Sequence, residues 1–217
     1  HGGGVYSDEG SFITIRRTRF SSNIGMPHGG GVYAAGGRVL VQNSIFTRNE
    51  GYPGSAGYFG LGVAQMEHCT IFENYGTAVY GEGSAPNLLN CIIMGNGTSG
   101  AIQFAGGVGS VRYCRLSEAW EGTGNSVGAP GFFFASCELM KTSACVDAAL
   151  DSPGIVDDFE GRLRWDVPRI GGEVNDIGAV EYLDDDRDGL SDIWEIQSLG
   201  SIEAMDGRDD IDQDGPD

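Results

Sequence analysis

The densest group of residues able to do chemistry lies near the C-terminus, where Asp184 opens the run D-D-D-R-D-G-L-S-D-I-W-E. Counted from Asp184 as position 1, carboxylates fall at 1, 3, 5, 9 and 12, namely Asp184, Asp186, Asp188, Asp192 and Glu195. Gly189 takes position 6, and the Leu190 carbonyl is available at position 7. Calcium asks for this pattern: hard oxygen donors at alternate positions, a glycine at the sharp turn, and a last carboxylate able to bind through both oxygens. A second run starts 26 residues on, with Asp210, Asp212 and Asp214 at positions 1, 3 and 5 and Gly215 at position 6. The sequence covers that second loop only to position 8, so its ligand set is incomplete. Ser191 stands at position 8 of the first loop, where an aliphatic residue would pair two loops, so pairing is left open. The stretch I-W-E-I-Q-S-L predicts a short helix from about Ile193 to a stop at Gly200. Without calcium, so many like charges should leave the tail disordered.

Groups suited to acid–base catalysis are fewer. Glu67 stands beside His68, and Glu73 and Glu118 fall on equivalent turns of a repeating coil, two coils and hence about 10 Å apart. Carboxylates at that spacing suit an inverting attack on a glycosidic bond, but Gly95 lies between them and no third group supports the pair. A calcium-assisted lyase needs several outward carboxylates beside a basic group. The outward corner positions are Arg16, Gln42, Glu67, Leu89, Arg112 and Arg17, Asn43, His68, Asn90, Tyr113, and Glu67 is the one acid among them. Asp158, Glu160, Arg162 and Arg164 read as a charged loop with local ion pairs. His1 and His28 each open a copy of H-G-G-G-V-Y and are expected to flank a glycine turn. No catalytic constellation emerges.

The elements that must position these groups repeat. T-R-F-S-S-N at Thr18–Asn23 returns as S-I-F-T-R-N at Ser44–Asn49, C-T-I-F-E-N at Cys69–Asn74 and C-I-I-M-G-N at Cys91–Asn96. Fainter copies begin at Cys114 and Cys137, and successive first positions lie 26, 25, 22, 23 and 23 residues apart. Such a period marks a solenoid. Two places after the first position sit Phe20, Phe46, Ile71, Ile93, Leu116 and Leu139; three places before it sit Ile15, Val41, Met66, Leu88, Val111 and Phe134. Inward side chains at −3, 0 and +2 break strict alternation, so a corner must lie between −3 and 0. Tyr6, Tyr33, Tyr58, Tyr80 and Gln103 mark a third strand upstream, preceded in the first two copies by glycine triplets that permit positive φ or close backbone approach. Three strands per coil, each paired in parallel with its counterpart above, give an all-β, right-handed parallel β-helix of about six coils over residues 1–142. At ordinary strand spacing the rod is about 30 Å long.

Each column has a structural reading. Asn23, Asn49, Asn74 and Asn96 fall where the chain must turn; asparagine tolerates the left-handed region, and its amide can bond the coils above and below. The tyrosines could stack on sugar or simply pack, and packing is preferred. Cys69, Cys91, Cys114 and Cys137 hold the position of Thr18 and Ser44, and read as small buried half-polar side chains rather than as a disulfide or metal framework. Their redox state is open, as is that of Cys145.

The net charge of −18 is uneven, with −12 of it on residues 181–217, which marks a change of module near residue 182. One lysine, Lys141, in 217 residues excludes a basic nucleic-acid footprint. No run of 18 apolar residues offers a membrane span. His1 opens in mid-phrase, which suggests a cut through a longer array, so the absence of a signal peptide says nothing about export.

On G-G-G-V-Y and S-I-F-T-R-N, residues 1–142 resemble the right-handed parallel β-helix repeat proteins of secreted and cell-surface bacterial type. Residues 143–182 run T-S-A-C-V-D-A-A, D-D-F-E-G-R-L-R, N-D-I-G-A-V-E-Y. They resemble the D-I-G-A-x-E-Y segment that closes many such proteins, and are expected to cap the last hydrophobic layer. Residues 183–217 resemble the EF-hand-like, thrombospondin-type-3-like calcium repeats that follow those β-helices, and less closely dockerin modules. The resemblance implies a bacterial protein, secreted or at the cell surface, structural or adhesive, with calcium bound in a tail that leads to an anchor or sorting region. Polysaccharide or a cell-surface molecule is then the expected partner. The alternative is the C-terminal part of a pectate-lyase-like polysaccharide lyase or glycoside hydrolase, with its site upstream or near Glu67 and His68.

Overall fold

The computed structural model describes residues 3–97, 100–133, 136–164, 175–184, 192, 195 and 198–201. Among the described residues three parallel sheets of five or six strands wind as a solenoid, beside a two-stranded one of Ile24–Gly25 and Glu50–Gly51. The first contains Val5–Ser7, Val32–Ala34, Gly57–Phe59, Val79–Glu82 and Ile102–Ala105; the second Phe12–Arg16, Arg38–Gln42, Val63–Glu67, Asn87–Leu89 and Ser110–Arg112. The third contains Arg19–Ser21, Ile45–Thr47, Thr70–Phe72, Ile92–Met94, Arg115–Leu116 and Ser126–Val127. The expected columns are the observed registers. Ile15, Val41, Met66, Leu88 and Val111 are partners in the second sheet, and Phe20, Phe46, Ile71, Ile93 and Leu116 in the third. All ten are buried in one core, and the Phe20 and Phe46 rings stack at 4.7 Å. Among the described residues no helix is long and apolar enough to cross a membrane.

The expected corner is a single residue in the left-handed region, repeated in every coil: Arg17, Asn43, His68, Asn90 and Tyr113, with φ between 46° and 55°. A non-glycine residue costs about 1–2 kcal/mol there, and the corner returns hydrogen bonds for it. At the next position Thr18 and Ser44 donate their hydroxyls to the carbonyls of Arg16 and Gln42, both at 2.8 Å. Cys69, Cys91 and Cys114 make the same contact through sulfur, to Glu67, Leu89 and Arg112 at 3.2–3.3 Å. The column therefore wants a short donor that tolerates burial. All five cysteines are free and buried.

The second turn uses a division of labour that the sequence reading merged into one residue. The left-handed residue is the one before each asparagine, Ser22, Arg48, Glu73 and Gly95. The asparagine supplies the hydrogen bonds. Asn23, Asn49 and Asn74 each donate both backbone N–H and side-chain Nδ2 to the Oδ1 of the next asparagine, at 2.9–3.1 Å. Asn49, Asn74 and Asn96 also donate Nδ2 to the carbonyls of Phe20, Phe46 and Ile71. The glycine triplets answer to close approach: a Cβ on Gly31 would stand 2.5 Å from the Ala56 carbonyl oxygen of the next coil.

Among the described residues five complete coils are present where about six were expected. After Leu116 only residues 117–125 precede Ser126, too few to lay down strands in the first two sheets, so the sixth layer exists in the third sheet alone. Trp120 from this short link packs edge-on against Phe104 and on the end of the core. The phrase starting at Cys137 is not a rung. Cys137 packs with Ile45, Ala179 and Val180, and Leu139 with Ile92, Cys145 and Ile177, on the outer side of the third sheet. Phe134 lies outside the described residues.

Asn74→Ala should lower unfolding stability by about 2–5 kcal/mol, because it strands the buried Asn49 N–H and the Phe46 carbonyl. Asn23→Ala, at the part-buried end of the ladder, should cost about 1 kcal/mol. Urea midpoints of the two variants test the gradient.

Candidate functional site

Among the described residues the richest constellation lies where the polar corner residues of the second, third and fourth coils meet the C-terminal segment. Asn43, His68 and Asn90 are buried although their corner faces outward, because residues 145–164 and 175–182 run along the flank of the coils. This corrects the expectation of a cap over the last layer, since the contacts fall on the side, from the first coil to the fourth. Asp157 meets Arg17 at 3.3 Å and accepts from Asn43 Nδ2 through its carbonyl at 2.7 Å. Asn90 holds both ends of Leu150, Nδ2 donating to its carbonyl and Oδ1 accepting from its N–H, each at 2.8 Å. The Gly178 N–H bonds the Asn90 carbonyl, and the Ala179 N–H bonds Thr70 Oγ1.

Each residue of D-I-G-A-V-E-Y has a task in this strap. Asp176 accepts from the N–H groups of Asp147 and Tyr182. Ile177, Ala179 and Val180 fill the apolar seams over Ile92 and Ile45. Gly178 has φ 112°, and a Cβ there would stand 2.7 Å from Ile92 Cδ1. Glu181 accepts Arg164 Nη1 at 2.7 Å and the Asp176 N–H at 3.0 Å. Arg164 is 1% exposed. Its remaining donors reach Asn43 Oδ1 and the carbonyls of Asp157, Gly178 and Ala179 at 2.9–3.1 Å. The expected local ion pair is realised by Arg162 with Asp158, at 4.0 Å. Arg164 is different in kind: it ties the strap to the solenoid. The polar run Asn43, His68, Asn90 at an outward corner was the signal for this contact in the sequence.

His68 sets the electrostatics. Its Nδ1 faces the Asp176 carbonyl at 3.2 Å, which can only accept, so Nδ1 carries the hydrogen. Nε2 then accepts from Asn90 Nδ2 at 2.9 Å. Burial, aided by the nearby Arg164 guanidinium, pulls the imidazole pKa well below its usual value and keeps the ring neutral. Burial pushes Asp176 the other way, up to about 7, against the pull of its backbone donors.

The acid–base candidates do not converge. Glu67 is half-buried and accepts from Gln42 Nε2 at 2.8 Å and from Gln65 Nε2, whereas His68 is sealed beneath the strap, so the pair offers substrate no joint access. Glu73 lines an open hollow of about 500 Å³ with Arg48, 3.9 Å away, and Tyr75. Glu118 lines a separate small hollow with Trp120. The tyrosine column is a stack: Tyr6, Tyr33, Tyr58 and Tyr80 lie at centroid spacings of 5.5, 4.9 and 5.5 Å, and His28 stacks on Tyr58 at 4.7 Å. The inner rings spend their faces on one another, which favours packing over sugar stacking. His1 lies outside the described residues.

Of the residues expected to ligate calcium, Asp184, Asp192 and Glu195 are described, and Asp186, Asp188, Leu190, Asp210, Asp212 and Asp214 lie outside the described residues. The Asp184 side chain is 5% exposed, and Asp192 and Glu195 are buried. Asp192, Glu195 and Ser198 have helical backbone, close to the expected helix. Leu183 is joined to the loop's far side through its carbonyl, which accepts the Asp192 N–H at 3.0 Å. Among the described residues no three His, Cys, Asp or Glu side chains converge as a metal site.

The family model described as right handed beta helix region matches residues 1–143. No curated protein and no solved structure matches the chain.

Arg164→Met should undock the strap at a cost of about 3–5 kcal/mol, since it leaves the Glu181 carboxylate buried without its partner. Hydrogen exchange should accelerate at residues 145–157 and 175–182 and stay slow in the asparagine ladder. Strap protection should also depend on pH in two opposed ways. Neutral His68 contributes fully above its unfolded value of about 6.5 and loses that contribution as pH falls. Protonated Asp176 contributes fully below its unfolded value of 3.8 and loses that contribution as pH rises through about 7. Exchange measured from pH 4 to 8 should therefore lose its acid limb in His68→Asn and its alkaline limb in Asp176→Asn.

Proposed function

This chain belongs to the right handed beta helix region family, and we propose that it serves as a non-catalytic scaffold outside the cell or on its surface. Its role is structural or adhesive, toward polysaccharide or another cell-surface molecule, and its acidic tail binds calcium. The observation that carries the scaffold reading is the flank. The coil corners with the most reactive side chains are committed to hydrogen bonds with the strap, and His68 is buried there as a neutral ring. Catalysis near Glu67 and His68 would first require the strap to leave.

The calcium reading rests on the register of the tail and on where its described members sit. Asp184, Asp192 and Glu195 are loop positions 1, 9 and 12, all with hard oxygen donors withdrawn from water. Carboxylates in such a setting attract a divalent cation more strongly than they would in bulk water. Asp186, Asp188 and the Leu190 carbonyl complete the donor set from the sequence, and Asp210, Asp212 and Asp214 begin a second. Bound calcium would offset the mutual repulsion of a segment that carries −12. A secreted bacterial origin agrees with free calcium at the millimolar level.

Calorimetry on the full chain should give calcium binding with Kd of about 0.1–1 mM, the range of extracellular modules. Binding should vanish in Asp184→Ala/Glu195→Ala, and no heat in the unaltered protein at millimolar calcium would falsify the loop. Incubation with a panel of acidic polysaccharides should give no new unsaturated or reducing ends. Appearance of such ends would overturn the scaffold reading.

A further inference from the structure

Lys141 is the one lysine of the chain, and it sits just before the strap begins. Its Nζ stands 3.1 Å from Asp184 Oδ2, the carboxylate at position 1 of the calcium loop. The Tyr182 hydroxyl donates to the same oxygen at 3.3 Å. The two partners differ in setting: Lys141 is 51% exposed at its side chain and Asp184 5%. The carboxylate is thus fixed against the protein, while the ammonium sits on a flexible stem at the edge of water.

We propose that Lys141 is a tethered competitor of calcium, a cation supplied by the chain that holds Asp184 until calcium displaces it. The inference rests on the calcium reading of the tail. Calcium at position 1 takes oxygen from the carboxylate that Lys141 now holds, and two cations on one buried carboxylate repel each other in a medium that screens them poorly. The strongly hydrated ammonium has four carbons of reach and open water beside it, so it leaves at low cost. Tyr182, with its N–H on Asp176 in the strap, keeps Asp184 placed during the exchange. The exchange links tail to strap: the same carboxylate is anchored by Lys141 when calcium is absent and by calcium when it is present. It also sets a threshold, since calcium must outcompete an internal charge of fixed concentration.

Two measurements on the full chain test this. In calorimetry with calcium chloride, Lys141→Gln should bind about tenfold tighter than the unaltered protein, within the usual range for coupling between neighbouring sites. Lys141→Arg, which keeps the charge, should stay within about threefold of it. Independently, labelling of the unaltered protein with an amine-reactive reagent, read at the Lys141 peptide by mass spectrometry, should speed up several-fold when calcium is added. Equal calcium affinity in the unaltered protein and Lys141→Gln, or labelling that is unchanged or slowed by calcium, overturns the competitor and leaves the loop standing. No binding in either protein overturns the loop and the competitor together. Binding in Lys141→Gln alone supports both.

Discussion

A parallel coil that turns from one strand to the next presents the same backbone groups, at the same corner, in every layer, and they must find partners without water. In this protein the asparagine amide serves them. Its Oδ1 takes two donors from the coil on one side, and its Nδ2 reaches back to a main-chain carbonyl. Aspartate has no donor for the second task, and glutamine carries an extra methylene that would move both atoms off the corner. The ladder also explains how coils of unequal length stack. The linked asparagines are 26, 25 and 22 residues apart, so differences in length are absorbed in loops elsewhere while the corner and the apolar column beside it stay aligned.

The other corner has the opposite consequence. One left-handed residue per coil turns the chain between the second and third sheets and throws its side chain outward. At Asn43, His68 and Asn90 these side chains are donors and acceptors that bind the strap's backbone, and the isoleucines beside them give it an apolar seat. Arg164 completes the arrangement by bridging strap and solenoid from a site closed to water. Buried ion pairs add little net stability but are costly to break, so the pair with Glu181 acts more as a test of correct docking than as a source of affinity. The acidic tail starts where this docking ends, at Tyr182 and Asp184.

The repeat was legible because coil stacking imposes one side-chain requirement per column, and a requirement met four or five times in 217 residues stands out. Hence the inward columns, their register and the asparagine contacts could be read residue by residue. Misreadings came where the periodic constraint lapses. The Cys137 phrase has apolar residues at suitable spacing, but nothing in that spacing distinguishes a rung from a segment lying across rungs. D-I-G-A-V-E-Y was expected to cap the last layer, while its seat on the flank depends on Asn43, His68 and Asn90, more than 80 residues earlier, whose meaning appears only once they share a face. Glu67 and His68 looked like a pair because they are adjacent in sequence; the left-handed corner between strand and strand sends them to different environments.

The lateral strap also bears on the order in which the molecule assembles. Contacts within the solenoid join residues 22–29 apart, as in the asparagine ladder. Contacts of the strap with Arg17, Asn43 and His68 join residues 108–140 apart. Short closures form early and long ones late, because the entropy of closing a long loop must be met before the contact returns anything. The strap is accordingly a late arrival, and it can seat only if four successive corners already stand at the right height and angle. A coil slipped by one residue would turn its corner side chain away and leave a gap in the run. The segment works as a gauge laid along a finished stack, closing over coils wound in register and staying off those that are not.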